Sequence, residues 1–322
     1  MITVKGKLVM KEVNLVATTH VDKHSIKITK EALDGMAHNY NSGHVYPIKI
    51  EHDVTLPPMG KVLRSWVEPL DDGEFGLFIE SELFDLQKAE LQPDGRVLIG
   101  QRSSTDNRPF VERFITPPQE IDLSIDFTNF AQKEHVKEIL ADDDSIAFTR
   151  SDFIRRSALN DPQMVVTLTQ GLAHLFIGWK IIEKVQETVG EEIAQDFAKF
   201  YRFISDRALL MAKNAIPKNQ PITYVFVAPG IPAVEFVVRT TDPQVVAQAL
   251  RLVTQPTIVA QALEDFTILK PTEVQFLFVD SEWKFNFLLT GDGGVIGIKE
   301  GFDRRVRRIE LGCDEESEDK IE

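Results

Sequence analysis

The sequence predicts an α+β protein: a β-rich first half, then a separate domain of helices and antiparallel strands. Three observations carry that expectation. Residues 47 to 84 hold three extended segments punctuated by Pro57-Pro58 and Asp72-Gly73. Apolar residues recur at helical spacing through much of residues 163 to 215, and strand patterns return from Ile222 to Lys299. Turn residues between short extended runs mark strands, and helices followed by an antiparallel sheet make an α+β domain.

Taken in order, residues 1 to 17 show period-two alternation around Val4 and Leu8 and again around Val13 and Leu15, which predicts one or two opening strands. Thr29 is a good N-cap for a helix over Lys30 to Tyr40. Leu33, Met36, Ala37 and Tyr40 give it an apolar stripe, and Asn41, Ser42 and Gly43 stop it. In the meander that follows, the first strand ends on His52, flanked by Glu51 and Asp53. Leu86 to Leu91 reads as a short helix. Gln92 to Glu120 reads as an irregular polar insertion with Pro93, Pro109, Pro117 and Pro118, a kind of segment that is either disordered or functional. Glu120 to Phe127 alternates strictly: Ile121, Leu123, Ile125 and Phe127 point one way, Asp122, Ser124 and Asp126 the other. A helix from Gln132 to Leu140 leads into Asp142, Asp143 and Asp144 and a strand, Ser145 to Thr149. The charged run from Arg150 to Pro162 marks the domain boundary, since the residue before a proline is pushed away from helix. The division is therefore 1–155, 156–312 and an acidic tail, 313–322.

The second half opens with helical sequence from about Gln163 to Ala215. Gly171, Gly178 and Gly190 divide it into two or three helices, with Phe197, Phe200, Tyr201, Ile204 and Leu209 as a core stripe. Strands over Ile222 to Ala228 and Val234 to Thr240 form a hairpin through Pro229 to Pro232. A helix spans Gln244 to Leu252, and an apolar stretch runs from Thr257 to Leu263. Three strands close the domain: Glu273 to Val279, Trp283 to Thr290 and, after the glycine-rich turn Gly291 to Gly294, Val295 to Lys299. Trp283, Phe285 and Phe287 fall on one strand face, expected to pack against the Phe197 to Leu210 helix.

Composition excludes several classes. Fifty acidic against 36 basic residues give a formal charge of -14 and a pI near 5.0. A nucleic-acid surface needs clustered positive charge, and the only such cluster, Arg304, Arg305, Arg307 and Arg308, lies beside the acidic end. A single cysteine, Cys313, leaves no intrachain disulfide and no cysteine-based zinc site. His20 and His24 stand four apart, but Thr18, Thr19, Val21 and Asp22 favour extended or turn structure and no third ligand is near. No metal or cofactor is expected. The amino terminus lacks the pattern of a signal peptide. The most apolar run, Val165 to Trp179, contains Gln170 and His174 and is shorter than the roughly 20 residues of a membrane helix. A cytoplasmic protein without a membrane partner is the expectation.

No phosphate-cradling loop, Gly-x-Ser-x-Gly elbow or His-Glu-x-x-His helix occurs. What remains is a serine–histidine arrangement in the first half. Such chemistry needs a hydroxyl, a base within hydrogen-bond reach and a group that orients the base. His52 suits the base because imidazole titrates near neutrality. Ser124 suits the nucleophile because a strand holds it rigidly.

The same pieces resemble a known family. Ile28 to Asn41, Pro47 to His52 and Gly60-Lys61-Val62 look like the opening of tailed-phage head-maturation proteases. These are the capsid-scaffold and prohead proteases, related in fold to herpesvirus assemblins. Asp122 to Phe127 is similar to their serine strand. The resemblance covers roughly residues 20 to 155 and implies a protease-like barrel, with His52 as base and Ser124 as nucleophile. Asp144 and Asp152 both fall where the family places its last catalytic element, and Ser103, beside Ser104, offers a rival serine. The implied function is a serine endopeptidase of phage or prophage origin that processes itself or an assembling partner protein. Scaffold members end in a long helical scaffolding region, which this second half does not resemble. The alternative is therefore an inactive barrel used as an interaction or assembly module, coupled to a C-terminal sensory or binding domain.

Overall fold

Thr29 caps the first helix as its sequence requires: its Oγ1 accepts the Ala32 N–H at 3.2 Å, and the helix buries Leu33 and Ala37. The computed structural model describes residues 11–21, 27–143, 145–153, 161–177, 189–252 and 257–318. Expectations at Val4, Leu8, His24, Asp144, Gly178 and the last four residues lie outside them. The chain is α+β, with antiparallel and mixed sheets.

The elements begin with β1 (Lys11–Thr18), α1 (Lys30–Tyr40), β2 (Tyr46–Ile48), β3 (Gly60–Pro69), β4 (Phe75–Leu83), β5 (Leu86–Leu91) and β6 (Val97–Arg102). Then come β7 (Ile121–Asp126), α2 (Lys133–Ile139), β8 (Phe148–Phe153), β9 (Gln163–Thr167), α3 (Gln170–Ile177) and α4 (Val189–Asn214). The chain continues through β10 (Ile222–Ala228), β11 (Ala233–Thr240), α5 (Pro243–Leu252) and α6 (Thr257–Phe266). It closes with β12 (Glu273–Val279), β13 (Glu282–Leu289), β14 (Val295–Ile298) and α7 (Lys299–Glu318).

One compact unit comprises the described residues of Met1–Ile50, Leu56–Val111 and Leu288–Glu322. Its antiparallel sheet runs β1-β4-β3-β2, and α1 packs on it through Leu33, Ala37 and Leu77, with Ile28, Val67 and Phe75 around them. Leu86 to Leu91, expected as a helix, is a strand that pairs with β6 from Leu86↔Arg102 to Leu91↔Val97. A six-residue helix in isolation is marginal, so sheet hydrogen bonds decide the conformation. The strand β6 itself lies inside the segment expected to be irregular, and it pairs with β14 on its other side. Arg304 to Arg308 belong to α7, which continues to Glu318 and so takes in part of the expected tail. Arg305 anchors α7: its guanidinium donates to Pro57 O at 3.2 Å, Pro58 O at 2.5 Å and Gln101 Oε1 at 2.6 Å. Burial lowers its pKa to about 10.

The second unit comprises the described residues of Glu51–Thr55 and Glu112–Phe287. Its strands run β13-β12-β11-β10-β9-β7-β8. β10 and β11 form the expected hairpin, β9 lies parallel to β10, and β12 lies parallel to β11. Gln163 to Thr167, expected as helix, is therefore strand; its run of Met164, Val165 and Val166 suits either state until neighbours are known. β7 bonds β8 on one side and β9 on the other, so strands from both sides of residues 155 and 156 share one sheet. The division drawn there does not coincide with the compact units. Among the described residues, no helix is long and apolar enough to cross a membrane.

Helices cover one face of this sheet. Phe236 lies at the centre of an aromatic core, with ring centroids 5.4 Å from Phe176, 5.7 Å from Phe276 and 5.3 Å from Trp283. The aromatic face of β13 is core, as expected, but its cover differs. Trp283 Nε1 donates to Ala249 O of α5 at 3.1 Å, and Phe285 stacks on Phe266 of α6. Phe200 of α4 instead meets Phe176 and Phe226.

Candidate functional site

His52 does not end a strand. It closes a single 3-10 turn, Ile50–His52, in which Glu51 and His52 have φ of 49° and 53°. Side chains with a Cβ adopt this left-handed region at a cost of about 1–3 kcal/mol each, so the surroundings must hold them there. Asp53 Oδ1 accepts from the Thr55 N–H at 2.8 Å and Thr55 Oγ1 at 2.7 Å, closing the loop on itself. Val54 packs on Val225, Val227, Val237 and Leu277. The carbonyls of Val54 and Thr55 accept from Gln275 and Asn286. His52 itself is exposed.

Ser124 stands on the sheet face that this loop covers. Cross-strand register aligns Ser151, Ser124, Val165, Val225, Val237 and Leu277 in one row from β8 to β12. Directly paired residues point to the same side, and Val54 packs against the cluster that holds Val225, Val237 and Leu277 of that row. Two strand spacings, roughly 10 Å, separate Ser124 from β10. Its hydroxyl is hydrogen-bonded to Ser151 Oγ at 2.6 Å and not to His52. The loop that carries His52 thus packs, through Val54, on the sheet face to which Ser124 belongs, and Ser124 bonds to Ser151.

Asp144 lies outside the described residues. Asp152 follows Ser151 on β8, so alternation turns it to the face opposite Ser124. Asp143 is engaged: Ser145 donates its hydroxyl at 2.5 Å and its N–H at 2.9 Å, and Arg207 lies 3.9 Å away. The Ser145 hydroxyl and N–H hold its pKa below the ordinary 3.8, against a smaller opposing effect of burial. Asp122 shares the Ser124 face and accepts from Thr149 Oγ1 at 3.3 Å.

The rival serine has another job. Ser103, 6% exposed, donates to Glu82 Oε1 and accepts the N–H groups of Thr105 at 3.0 Å and Asp106 at 2.8 Å. Thr105 Oγ1 holds Glu82 Oε2 at 2.7 Å. Beside this knot Lys61, fully buried, donates to Asp106 O at 2.7 Å and Arg108 O at 3.2 Å, with Asp106 Oδ1 3.6 Å away. Burial lowers the Lys61 pKa below its ordinary 10.5, opposed by Asp106, Asp292 and Glu82. Gly293, at φ 68°, passes so close that a Cβ there would overlap Arg108 O and Lys61 Nζ. A charged residue opening a strand reads as surface, so nothing local marks Lys61 as buried. With Lys61, Glu82 and Ser103 buried inside it, the cluster is a brace.

Among the described residues, no three His, Cys, Asp or Glu side chains are grouped to hold a metal. His20 pairs with Asp72 Oδ2 at 2.6 Å. A cavity of about 380 Å³, lined in part by Ile121, Ser145, Thr169, Leu172 and Lys199, opens at the start of β7. Ile121 alternates to the face opposite Ser124, so this cavity is not where the two candidates meet. Compared with known proteins, the chain matches no family model, no curated protein and no solved structure.

Proposed function

We propose that this chain is a serine endopeptidase of the head-maturation type, acting in the cytoplasm on itself or on an assembling protein partner. One observation supports it above others: the strained, side-chain-gripped loop carrying His52 lies on the sheet face that presents Ser124. Strain in a non-glycine backbone persists where the surroundings over-determine it, commonly at functional sites. In the reaction, Ser124 Oγ attacks the scissile carbonyl carbon while His52 takes the hydroxyl proton. His52 then delivers that proton to the leaving amine, and water releases the acyl group from Ser124. Substrate-free geometry is often looser than this chemistry requires.

The Ser124–Ser151 hydroxyl pair favours a second reading, a non-hydrolytic module for protein interaction or assembly. A fluorophosphonate probe separates the two. The wild-type chain should be labelled, Ser124→Ala should not, and His52→Ala should slow labelling on the order of 1000-fold. Ser103→Ala should still label. Label retained in Ser124→Ala would sink the peptidase assignment of that serine; an unlabelled wild type would leave the interaction module.

A further inference from the structure

Two carbonyls of the His52 loop are held by side chains more than 200 positions further along the chain. Gln275 Nε2 donates to Val54 O at 2.9 Å and to Glu235 Oε2 at 2.9 Å. Asn286 Nδ2 donates to Thr55 O at 2.8 Å and to Gln275 Oε1 at 2.7 Å. Both amides are 0% exposed and Glu235 is 5% exposed. A primary amide nitrogen carries two N–H donors, and here each has two acceptors waiting.

The orientation of this relay is dictated by its acceptors. It runs from Asn286 to Gln275 to Glu235 and ends on a carboxylate, which only accepts when ionised. Turning the Gln275 amide over would set its oxygen against Val54 O and the Glu235 carboxylate. Turning Asn286 over would set its oxygen against Thr55 O and Gln275 Oε1. Each wrong orientation leaves buried acceptors facing one another, a costly arrangement where water is excluded. Simple packing on this face would be served by leucine or valine, as it is at Val225, Val237 and Leu277. Buried amides at positions 275 and 286 add direction, and the group they direct is a loop with two consecutive left-handed side-chain-bearing residues.

We infer that Gln275 and Asn286 are positioning residues for His52, fixing through the Val54 and Thr55 carbonyls the turn that aims the imidazole. This inference rests on the peptidase reading, and its test has a readout that does not. In the full-length chain, Asn286→Ala and Gln275→Leu are compared with wild type in two ways. The first is fluorophosphonate labelling over a range of probe concentrations. The second is the rate at which diethyl pyrocarbonate modifies His52, followed by peptide mass spectrometry. Misplacing a catalytic group by about 1 Å costs on the order of 100-fold in rate. The maximal labelling rate should fall by about that factor while the half-saturating probe concentration stays unchanged, and the His52 modification rate should shift severalfold. Should Asn286→Ala fail to fold, Gln275→Leu, which preserves bulk, carries the comparison. An unlabelled wild type would remove the peptidase reading, yet a shifted His52 modification rate would still support the grip. An unchanged modification rate in the folded variants overturns the inference, whatever the labelling shows.

Discussion

Phe236→Ala is expected to lower the unfolding free energy by about 3–5 kcal/mol, the range for truncating a buried aromatic. The side chain is 1% exposed and its ring meets Phe176, Phe276 and Trp283, so the cavity would be lined by rigid rings that cannot collapse into it. Offset and edge-to-face ring pairs contribute about 0.5–1.5 kcal/mol beyond area burial, which places this site toward the upper end. Ile268, 87% exposed, supplies the contrast: Ile268→Ala should change stability by no more than about 0.5 kcal/mol. Urea denaturation followed by tryptophan fluorescence checks both, with Trp283 reporting from the core. Equal midpoints for the two variants would mean that the helix-covered face is not the core.

Lys61→Ala is expected to cost about 3–5 kcal/mol for a different reason. Removing one member of a buried charged cluster leaves the others without compensation. Asp106 O and Arg108 O would lose their donor, and Glu82, 0% exposed, would lose a nearby positive charge. The pH dependence has two limbs of known sign. The Lys61 pKa is depressed by folding, so the native state releases its proton more readily than the unfolded chain. The cost of burying the ammonium is therefore fully present below the folded pKa and is relieved as pH rises through it toward 10.5. Asp106 behaves conversely. Burial raises its pKa, but hydrogen bonds from Arg108 and the charges of Arg108 and Lys61 outweigh that and leave it below 3.8. Its contribution is present above 3.8 and is lost as pH falls through the depressed value. In Lys61→Ala the alkaline limb should vanish and the acid limb should shrink. Unfolding curves collected from acid to alkaline pH would show both; an alkaline limb retained in the variant would rule out Lys61 as its source.

Local pattern made much of the architecture legible. The Thr29 cap and apolar stripe specify α1, strict alternation specifies β7, and proline- or glycine-bounded extended runs specify the β10–β11 hairpin and β12 to β14. The aromatic stripe of β13 was readable as core because large apolar side chains at period two leave water whatever covers them. Local pattern and resemblance point to His52 and Ser124, and the Asp122 to Asp126 alternation sets Ser124 on the side opposite Ile121, Leu123 and Ile125.

The remainder depended on partners distant in the chain. Leu86 to Leu91 and Gln163 to Thr167 are strands only because β6, β7 and β10 lie ready to accept their backbone hydrogen bonds. Short apolar or mixed runs carry no periodicity strong enough to resist that. Ser103 differs from Ser124 through Glu82, Thr105 and Asp106, none of which a serine motif specifies. The grip on the His52 loop by Gln275 and Asn286 spans more than 200 positions, and glutamine and asparagine read locally as surface residues. The sequence alone determined which faces must be apolar and where turns fall, because side-chain periodicity and caps act within a few residues. Tertiary structure decided which polar groups satisfy one another, because a buried hydrogen bond depends on register between strands that meet only after folding.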